Sequence, residues 1–582
     1  MTARGAGIRF RPPDPTWTQP ASPDPELIAR LAQGLQLPPT LCAVLVTRGI
    51  QSVEEAKRFL RPELDHLHDP ASLADGPLAA GRIAQALGRG ELIFIHGDYD
   101  VDGICATALM TRWLNGLGGS VVPFVPHRIR DGYDFSRAGL DAAKASGAGL
   151  IVTVDCGTTA HETIREAQSA GIDVIVTDHH TVGDRLPEAL AVVNPQRLDC
   201  PYPDKGLCGT GVAYKLCDLV GSVVGVGSNG LTEYLDLVAL ATVADLVPLK
   251  GENRTLVTFG LRRMTRTRVM GIAALLEASG LSPDEVTAGK LGFVVAPRIN
   301  AAGRIGESAD ALDLLLTEDR TVASSLAQKL EGTNQSRQEE DRRTLQEALA
   351  LLAESYEPDR DYGVVLASDG WHPGVIGIVA SRVVERIHRP VVMIALDGDS
   401  GRGSARSIAG FHLHEALTLC AGHLKRFGGH RQAAGMDLER GAVSDFRYVF
   451  NEVARERLTP EDLHPVLRPD LSLALTEIDL ELVHWLAYLG PHGMGNPGPL
   501  FLAPSVTLSG ARTVGEGHLK VSLGTGRGRL EAIGFGLAER HPPESLGERP
   551  HDVLFRLERN EWRGVAKPQA RLADLRPSGA AP

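Results

Sequence analysis

The octapeptide HGDYDVDG (residues 96–103) sets three carboxylates, Asp98, Asp100 and Asp102, at alternate positions behind the imidazole of His96. Like charges so close repel one another and disfavour ionisation unless cations offset them. Two further clusters of the same kind follow: Asp155 in VDCG, then Asp178, His179 and His180 in TDHH; Asp245 ends a long apolar run. Carboxylates mixed with imidazoles, with no thiol cluster of matching spacing, favour Mn2+ or Mg2+ over zinc. The acids outnumber what one such ion needs. Two ions about 3.5–4 Å apart, sharing a bridging carboxylate, absorb the excess, and such a pair clamps both the attacking and the departing oxygen of a phosphoryl displacement. The plainer alternative is that Asp-rich loops cap helices or solvate turns. Repetition at three strand ends weighs against that as the whole account.

The elements that must carry these residues are legible. ELIFIHGD, GLIVTVDCG and IDVIVTDHH are short apolar, β-branched runs, each separated from the next by enough chain for a helix, which is the pattern of βαβ units around a buried parallel sheet. Open parallel sheets bind ligands at the carboxyl ends of their strands, so the clusters are expected to converge there. YLDLVALATVADLVPL reads as a buried helix ending near Asp245.

The chain has 582 residues, 43% hydrophobic and 23% charged, with a formal net charge of −12. That length implies several domains and a sizeable core. The net charge argues only weakly against a polyanionic partner, because a local basic groove can coexist with it. Seven cysteines without C-x-x-C spacing indicate neither a disulfide framework nor a zinc site. The N-terminal segment lacks the apolar core of a signal peptide and no apolar run reaches the roughly 20 residues that cross a bilayer, so a soluble, cytoplasmic protein is expected.

The expected fold class is α/β: residues 1–75 as an extension packed on the catalytic domain, 76–306 as a parallel-sheet catalytic domain, 307–357 as a helical connector, 358–458 as a smaller α/β domain, and 459–582 as a small β barrel. GLCGTGVAYKL (residues 206–216) lacks the spacing of a phosphate loop or dinucleotide fingerprint and reads as a tight turn before a helix.

The four motifs HGDYDVDG, DCG, DHH and Asp245, in that order, resemble those of the DHH phosphoesterase superfamily, and GGHRQAAG (residues 428–435) resembles the signature of its companion DHHA1 domain. Chain length and the C-terminal segment with GMGNPGPLF (residues 493–501) are most similar to the RecJ family within it. The resemblance implies that His96, Asp100 and Asp155 hold one ion while Asp102, Asp155, His179 and Asp245 hold the other, with Asp155 as bridge. Asp98 and Asp178 are expected behind the ligands, Asp178 orienting a histidine; His180 is expected on the scissile phosphate. The catalytic set is thus Asp100, Asp102, Asp155, His179, His180 and Asp245. The chemistry is metal-assisted phosphodiester hydrolysis, in which the cations lower the pKa of the attacking water and steady the leaving oxygen.

For strand binding, the glycine pair Gly428 and Gly429 lets backbone N–H groups approach an anion, and His430 is expected on the phosphate nearest the metals. Arg298, Asn300 and Arg304 suit backbone contacts at the domain junction, although a plain role at a helix end fits them nearly as well. Ser381, Arg382 and Arg406 are candidates for a 5′ end. Trp485, Tyr488, Phe501, Phe535 and Trp562 are candidate stacking groups, with core packing the alternative. The resemblance implies an OB-like last domain and a 5′-to-3′ exonuclease on single-stranded DNA, serving repair and recombination and releasing 5′-mononucleotides. Expected partners are single-stranded DNA, with a single-strand-binding protein and a helicase as candidate protein partners, no membrane, and a monomeric chain. The rivals are a DHH phosphodiesterase on short oligonucleotides or cyclic dinucleotides, and an inactive single-strand-binding scaffold.

Overall fold

The computed structural model describes residues 10–128, 130–132, 134–526 and 528–579. Three helices come first: the amphipathic α1 (Pro25–Leu35), the almost wholly apolar α2 (Pro39–Thr47) and the amphipathic α3 (Val53–Leu60), the last opened by a capping box between Ser52 and Glu55. Helix α4 (Gly76–Arg89) then leads into a βα repeat: β1 (Leu92–His96), α5 (Val101–Gly116), β2 (Ser120–Phe124), α6 (Arg137–Ser146), β3 (Leu150–Val154), α7 (His161–Ser169), β4 (Asp173–Thr177) and β5 (Ala191–Val193). The five strands lie in the order β2-β1-β3-β4-β5 and every pair is parallel. Because both faces of this sheet are covered, its strands are continuously apolar, as expected of buried parallel strands. One face meets a core that includes Ile93, Ile95, Val152 and Val154; the other buries Phe94, Ile151, Val174 and Val176.

Helices α8 (Gly209–Val223), α9 (Leu235–Ala244), α10 (Gly251–Met264) and α11 (Met270–Ala278) complete this domain, with Asp245 as the C-cap of the buried α9. A π-helical stretch, Leu291–Val295, runs into α12 (Ala296–Ile305). Helix α13 (Ser308–Leu316) packs on the core of this domain, and the 36-residue α14 (Arg320–Ser355), capped by Asp319, crosses to the next lobe.

The second lobe holds β6 (Val364–Asp369), α15 (Ile376–Ile387), β7 (Val391–Asp397), β8 (Ser400–Arg406), α16 (Leu413–Leu419), β9 (Arg426–Gly429), β10 (Ala433–Glu439) and α17 (Val443–Arg457), in a sheet ordered β9-β10-β8-β7-β6. After α18 (Leu480–Ala487), five long strands, β11 (Phe501–Val514), β12 (His518–Thr525), β13 (Gly528–Gly534), β14 (His551–Trp562) and β15 (Val565–Pro577), close into a barrel through the β11–β14 pairing.

One expectation is corrected. The N-terminal helices pack mainly on the barrel and not on the parallel-sheet domain: Leu31, Leu41, Val44 and Leu45 share one core with Phe501, Val506 and Phe555. Thr16–Trp17 pairs in parallel with Val466–Leu467, and Trp17 Nε1 donates to Asp574 Oδ2 at 2.9 Å. The parallel-sheet domain is met by the end of α3, where Arg254 Nε donates to Phe59 O at 2.9 Å, and by the stretch beyond it, where Leu73 enters its core and His68 N donates to Glu252 Oε1 at 2.7 Å. The apolar surfaces of α1 and α2 need a partner, and the barrel's inward residues offer the nearest open one. Residues 1–9 of the extension lie outside the described residues.

Candidate active site

The acidic clusters leave the carboxyl ends of β1, β3 and β4, which are neighbours in the sheet, and α9 delivers Asp245 to the same place. Three groups of ligand atoms result, each within 4.8 Å of one another: Asp98, Asp100 and Asp155; Asp102, His179 and Asp245; Asp155, His179 and His180. His179 Nε2 stands 3.1 Å from Asp155 Oδ1, 3.6 Å from Asp245 Oδ2 and 3.7 Å from Asp102 Oδ2. Asp155 thus touches both sets. Its backbone is in the left-handed region, φ +61°, immediately after β3. A non-glycine residue held there costs on the order of 1–3 kcal/mol and persists only where its surroundings over-determine it.

Burial and mutual repulsion dominate the electrostatics. Desolvation first, then the neighbouring carboxylates, push Asp155 and Asp98 well above the usual carboxylate range, and carry Asp245 up to about 9. Desolvation also lowers His179. Asp98 Oδ1, Asp155 Oδ1 and His179 Nε2 are buried with no hydrogen-bond partner among the described residues. Buried polar atoms are ordinarily satisfied, so orphaned carboxylate oxygens facing an imidazole nitrogen are what a cation-binding cavity leaves when its ions are removed. Oxygen and imidazole donors fit Mn2+ or Mg2+.

Asp178 sits behind this cavity. Its Oδ1 accepts from His179 N, His180 N and the His180 ring at 2.7, 3.1 and 2.8 Å, and its Oδ2 accepts from Thr158 N. Burial opposes charge on both partners, but the Asp178–His180 hydrogen bond wins: it holds Asp178 well below the usual range and raises His180 to about 9.

His96 is corrected. Strand alternation puts it on the face of Phe94, where its ring meets Phe124 and Phe135 at 5.2 and 5.1 Å. Its Nδ1 is 3.6 Å from Cys156 Sγ, its Nε2 abuts Gly139, and it belongs to none of the three groups. Burial lowers it to about 4. Asp98, expected behind the ligands, lies within one of the three clusters, with Asp100 and Asp155. Asp100 is both a member of the cluster and the N-cap of α5, accepting from Asp102 N and Gly103 N at 2.9 and 3.2 Å.

The segment read only as a turn proves part of the site. Gly209 N and Thr210 N, at the start of α8, donate to the two oxygens of Asp102 at 2.7 Å each. A Cβ on Gly209 would lie 2.5 Å from Asp155 Oδ1, so no other residue fits. Its glycines were the available signal, although their spacing matches no nucleotide loop. Asp134 was missed as well: at φ +73° it accepts from Gly157 N at 2.6 Å and bridges to the loop after β3.

The second lobe contributes a basic junction. Arg304 on α12 donates to Gly374 O at 3.2 Å; burial first, then the charges of Arg128, Arg406 and Arg337, lower it to about 10. Arg128 lies over the Tyr99 ring at 5.1 Å, which places this cluster beside Asp98 and Asp100. Arg406 reaches over Ser404 and the first turn of α15. Other candidates are engaged within the fold: Arg382 and Arg337 each pair with the buried Asp341 at 3.1 Å, Arg298 with Glu331 at 2.5 Å, and Ser381 Oγ bonds Gly377 O inside α15. Asn300 is half-buried on α12. GGHRQAAG forms the β9–β10 hairpin, with Gly428, Gly429 and His430 exposed, and the charge of His180 is among those that disfavour a proton on His430. On the barrel, Phe501 is core, whereas Trp562, Phe535 and Tyr488 are 72%, 53% and 44% exposed.

Comparison with known proteins agrees with this architecture. The N-terminal domain of the DHH family matches residues 92–242, the DHHA1 domain 361–456 and the RecJ OB domain 469–574. The chain is similar to the single-stranded-DNA-specific exonuclease RecJ of Escherichia coli (strain K12), 38% identical over 550 residues, 91% of this chain and 94% of that protein. Against the Bacillus subtilis (strain 168) protein of the same name it is 38% identical over 557 residues, 95% and 70% of the two chains. A crystal structure of RecJ in complex with Mn2+ from Thermus thermophilus aligns with a TM-score of 0.83 at 32% identity, over 99% of this chain and 80% of that one.

Proposed function

The chain belongs to the RecJ family of single-stranded-DNA-specific exonucleases, and from that membership we propose a Mn2+- or Mg2+-dependent hydrolase that removes 5′-mononucleotides from single-stranded DNA in the 5′-to-3′ direction, in repair and recombination. The observation that carries this is the convergence of five aspartates and two histidines, buried or half-buried, from four separated segments, with unsatisfied oxygens between them. Asp98, Asp100 and Asp155 would hold one ion; Asp102, Asp155, His179 and Asp245 the other. The paired ions supply Lewis-acid polarisation of the phosphate and an activated water. The chain's own residues do the rest. Asp178 fixes the His180 ring so that its positive charge faces the phosphate, and α8 locks Asp102 through two backbone donors, which keeps the carboxylates from swinging apart. His430 approaches the same phosphate from the second lobe.

The 5′ end would enter the junction, where Arg128, Arg304 and Arg406 have no carboxylate within salt-bridge distance among the described residues and are only partly offset by Asp98 and Asp341; guanidinium groups hold phosphate well. The barrel, with exposed Trp562 and Phe535 near Arg563 and Arg571, is the platform for the rest of the strand. Single-strand-binding protein and a helicase are the candidate partners, and no described helix is long and apolar enough to cross a membrane.

The test is Mn2+-dependent degradation of an end-labelled strand. Mononucleotide release from single strands, little from blunt duplex, and release slowed about a thousandfold with Asp155→Asn are expected. Cleavage confined to dinucleotides would favour the short-substrate phosphodiesterase instead.

A further inference from the structure

The turn formed by residues 490–498 belongs to the barrel domain, yet it rests on the segment of chain that leaves the metal cavity. Asp245 ends α9, and residues 246–250 carry the chain on to α10. Leu246 is held at φ +59°, the left-handed region that a leucine avoids unless its neighbours impose it.

The residues that follow it, Pro248 and Leu249, are held from the other domain. Leu249 N donates to Met494 O at 2.8 Å. Gly495 lies so close to Pro248 that a Cβ there would be 3.0 Å from Pro248 Cβ, and its own φ is +70°. Gly493 faces Leu249 in the same way: a Cβ on it would be 2.7 Å from Leu249 Cδ1. From below, Asn253 Nδ2 holds Pro248 O at 3.1 Å.

The turn is itself fixed. Asn496 is 2% exposed; its amide donates to Leu489 O and Pro491 O at 2.9 Å each, and its oxygen accepts from Arg48 Nη1 at 2.6 Å. Arg254 of α10 donates to Tyr488 O and Leu489 O at 3.0 Å each, which ties the turn to the helix that follows the Asp245 segment. Neither segment can shift without breaking these bonds.

We propose that the turn of residues 490–498 is a positioning element for Asp245: from a separate domain it fixes the segment that aims one carboxylate into the metal cavity. This rests on Asp245 being a metal ligand, and its mutation is part of the test. Groups that orient a ligand from behind typically change metal affinity by about 10–100-fold when removed.

The experiment is calorimetric titration of the metal-free full chain with MnCl2, with thermal unfolding run on each variant. Wild type is expected to bind two ions, and Asp245→Asn to lose or weaken one. Gly495→Ala and Asn496→Ala should weaken that same site by about tenfold and spare the other. Gly517→Ala is the control, since Gly517 has the same strained backbone, φ +80°, in the same domain, but nothing within 4 Å of an added Cβ. It should leave both sites unchanged. The proposal is overturned if Gly495→Ala binds both ions as wild type does while Asp245→Asn loses one, or if Gly517→Ala weakens binding equally. Retention of both ions by Asp245→Asn would instead sink the ligand assignment beneath it. Should Asn496→Ala fail to fold, Gly495→Ala decides.

Discussion

The acidic cavity and the arginine junction adjoin each other at Tyr99, whose chain neighbours Asp98 and Asp100 face one way while Arg128 stacks on its ring. They are built differently. The cavity draws its carboxylates and imidazoles from the ends of three adjacent parallel strands and one helix, all within a single domain, and most of the carboxylates are buried. The junction gathers Arg128, Arg304, Arg337 and Arg406 from elements in two lobes and from the long α14 that runs between them. In the first, repulsion is concentrated at a place the sheet makes rigid; in the second, it is spread across a seam between lobes and partly offset by Asp341. A rigid repulsive cluster calls for fixed small cations, whereas a spread one suits a larger anion that arrives and leaves.

The sharpest way to break this contrast is Asp155→Asn. Losing the carboxylate shared between both sets should abolish one Mn2+ equivalent and lower turnover by about a thousandfold, the equivalent of several kcal/mol of lost charge stabilisation; near-normal turnover at saturating Mn2+ would end the idea of a shared ligand. At the junction, Arg406→Ala should leave Mn2+ stoichiometry alone and cut the preference for 5′-phosphorylated over 5′-hydroxyl strands roughly tenfold or more. Competition between the two strands measures it, and an unchanged ratio would detach Arg406 from the 5′ end. Gly209→Ala is a smaller, geometric intrusion: its Cβ would displace Asp155 and weaken Mn2+ binding by about tenfold with the fold retained. Equal affinity in calorimetry would show that the cavity is softer than its packing implies.

The smallest effect lies outside both regions and calibrates them. Burial first, then the charge of Arg48, lowers His492 to about 4 from its ordinary 6.5. The folded state therefore binds this proton less readily than the unfolded chain, and the stability contributed by neutral His492 is present above pH 6.5 and lost as pH falls towards 4. The loss is about 2 kcal/mol by pH 5 and approaches about 3 kcal/mol near pH 4. Urea midpoints compared at pH 7 and pH 5 should converge between wild type and His492→Gln as the pH drops; parallel curves would refute the assignment.

Much of the cavity was legible in advance because its residues are local to strand ends. Asp100, Asp155 and His179 were placed together by a rule that depends only on apolar runs and what terminates them. That Asp98 and not His96 joins the clusters was not legible, since strand alternation decides which side chain faces the cleft. Gly209 escaped for a related reason: its role is the room it leaves for Asp155, which lies 54 positions earlier in the chain. At the junction, Arg298 and Arg382 looked as eligible as Arg406, and only their ion pairs with Glu331 and Asp341 separate them.

Taken alone, the sequence determined the parallel sheet, the order of the domains, the clustering of acids and imidazoles at one sheet edge and hence the class of cation, because these follow from periodicity and donor chemistry over short stretches. Tertiary structure decided that α1 to α3 serve the barrel, that α8 grips Asp102, and that a turn near residue 495 braces the segment after Asp245. Those outcomes depend on which distant surfaces meet, and contact between surfaces is settled by shape and burial over the whole chain, which no local pattern encodes.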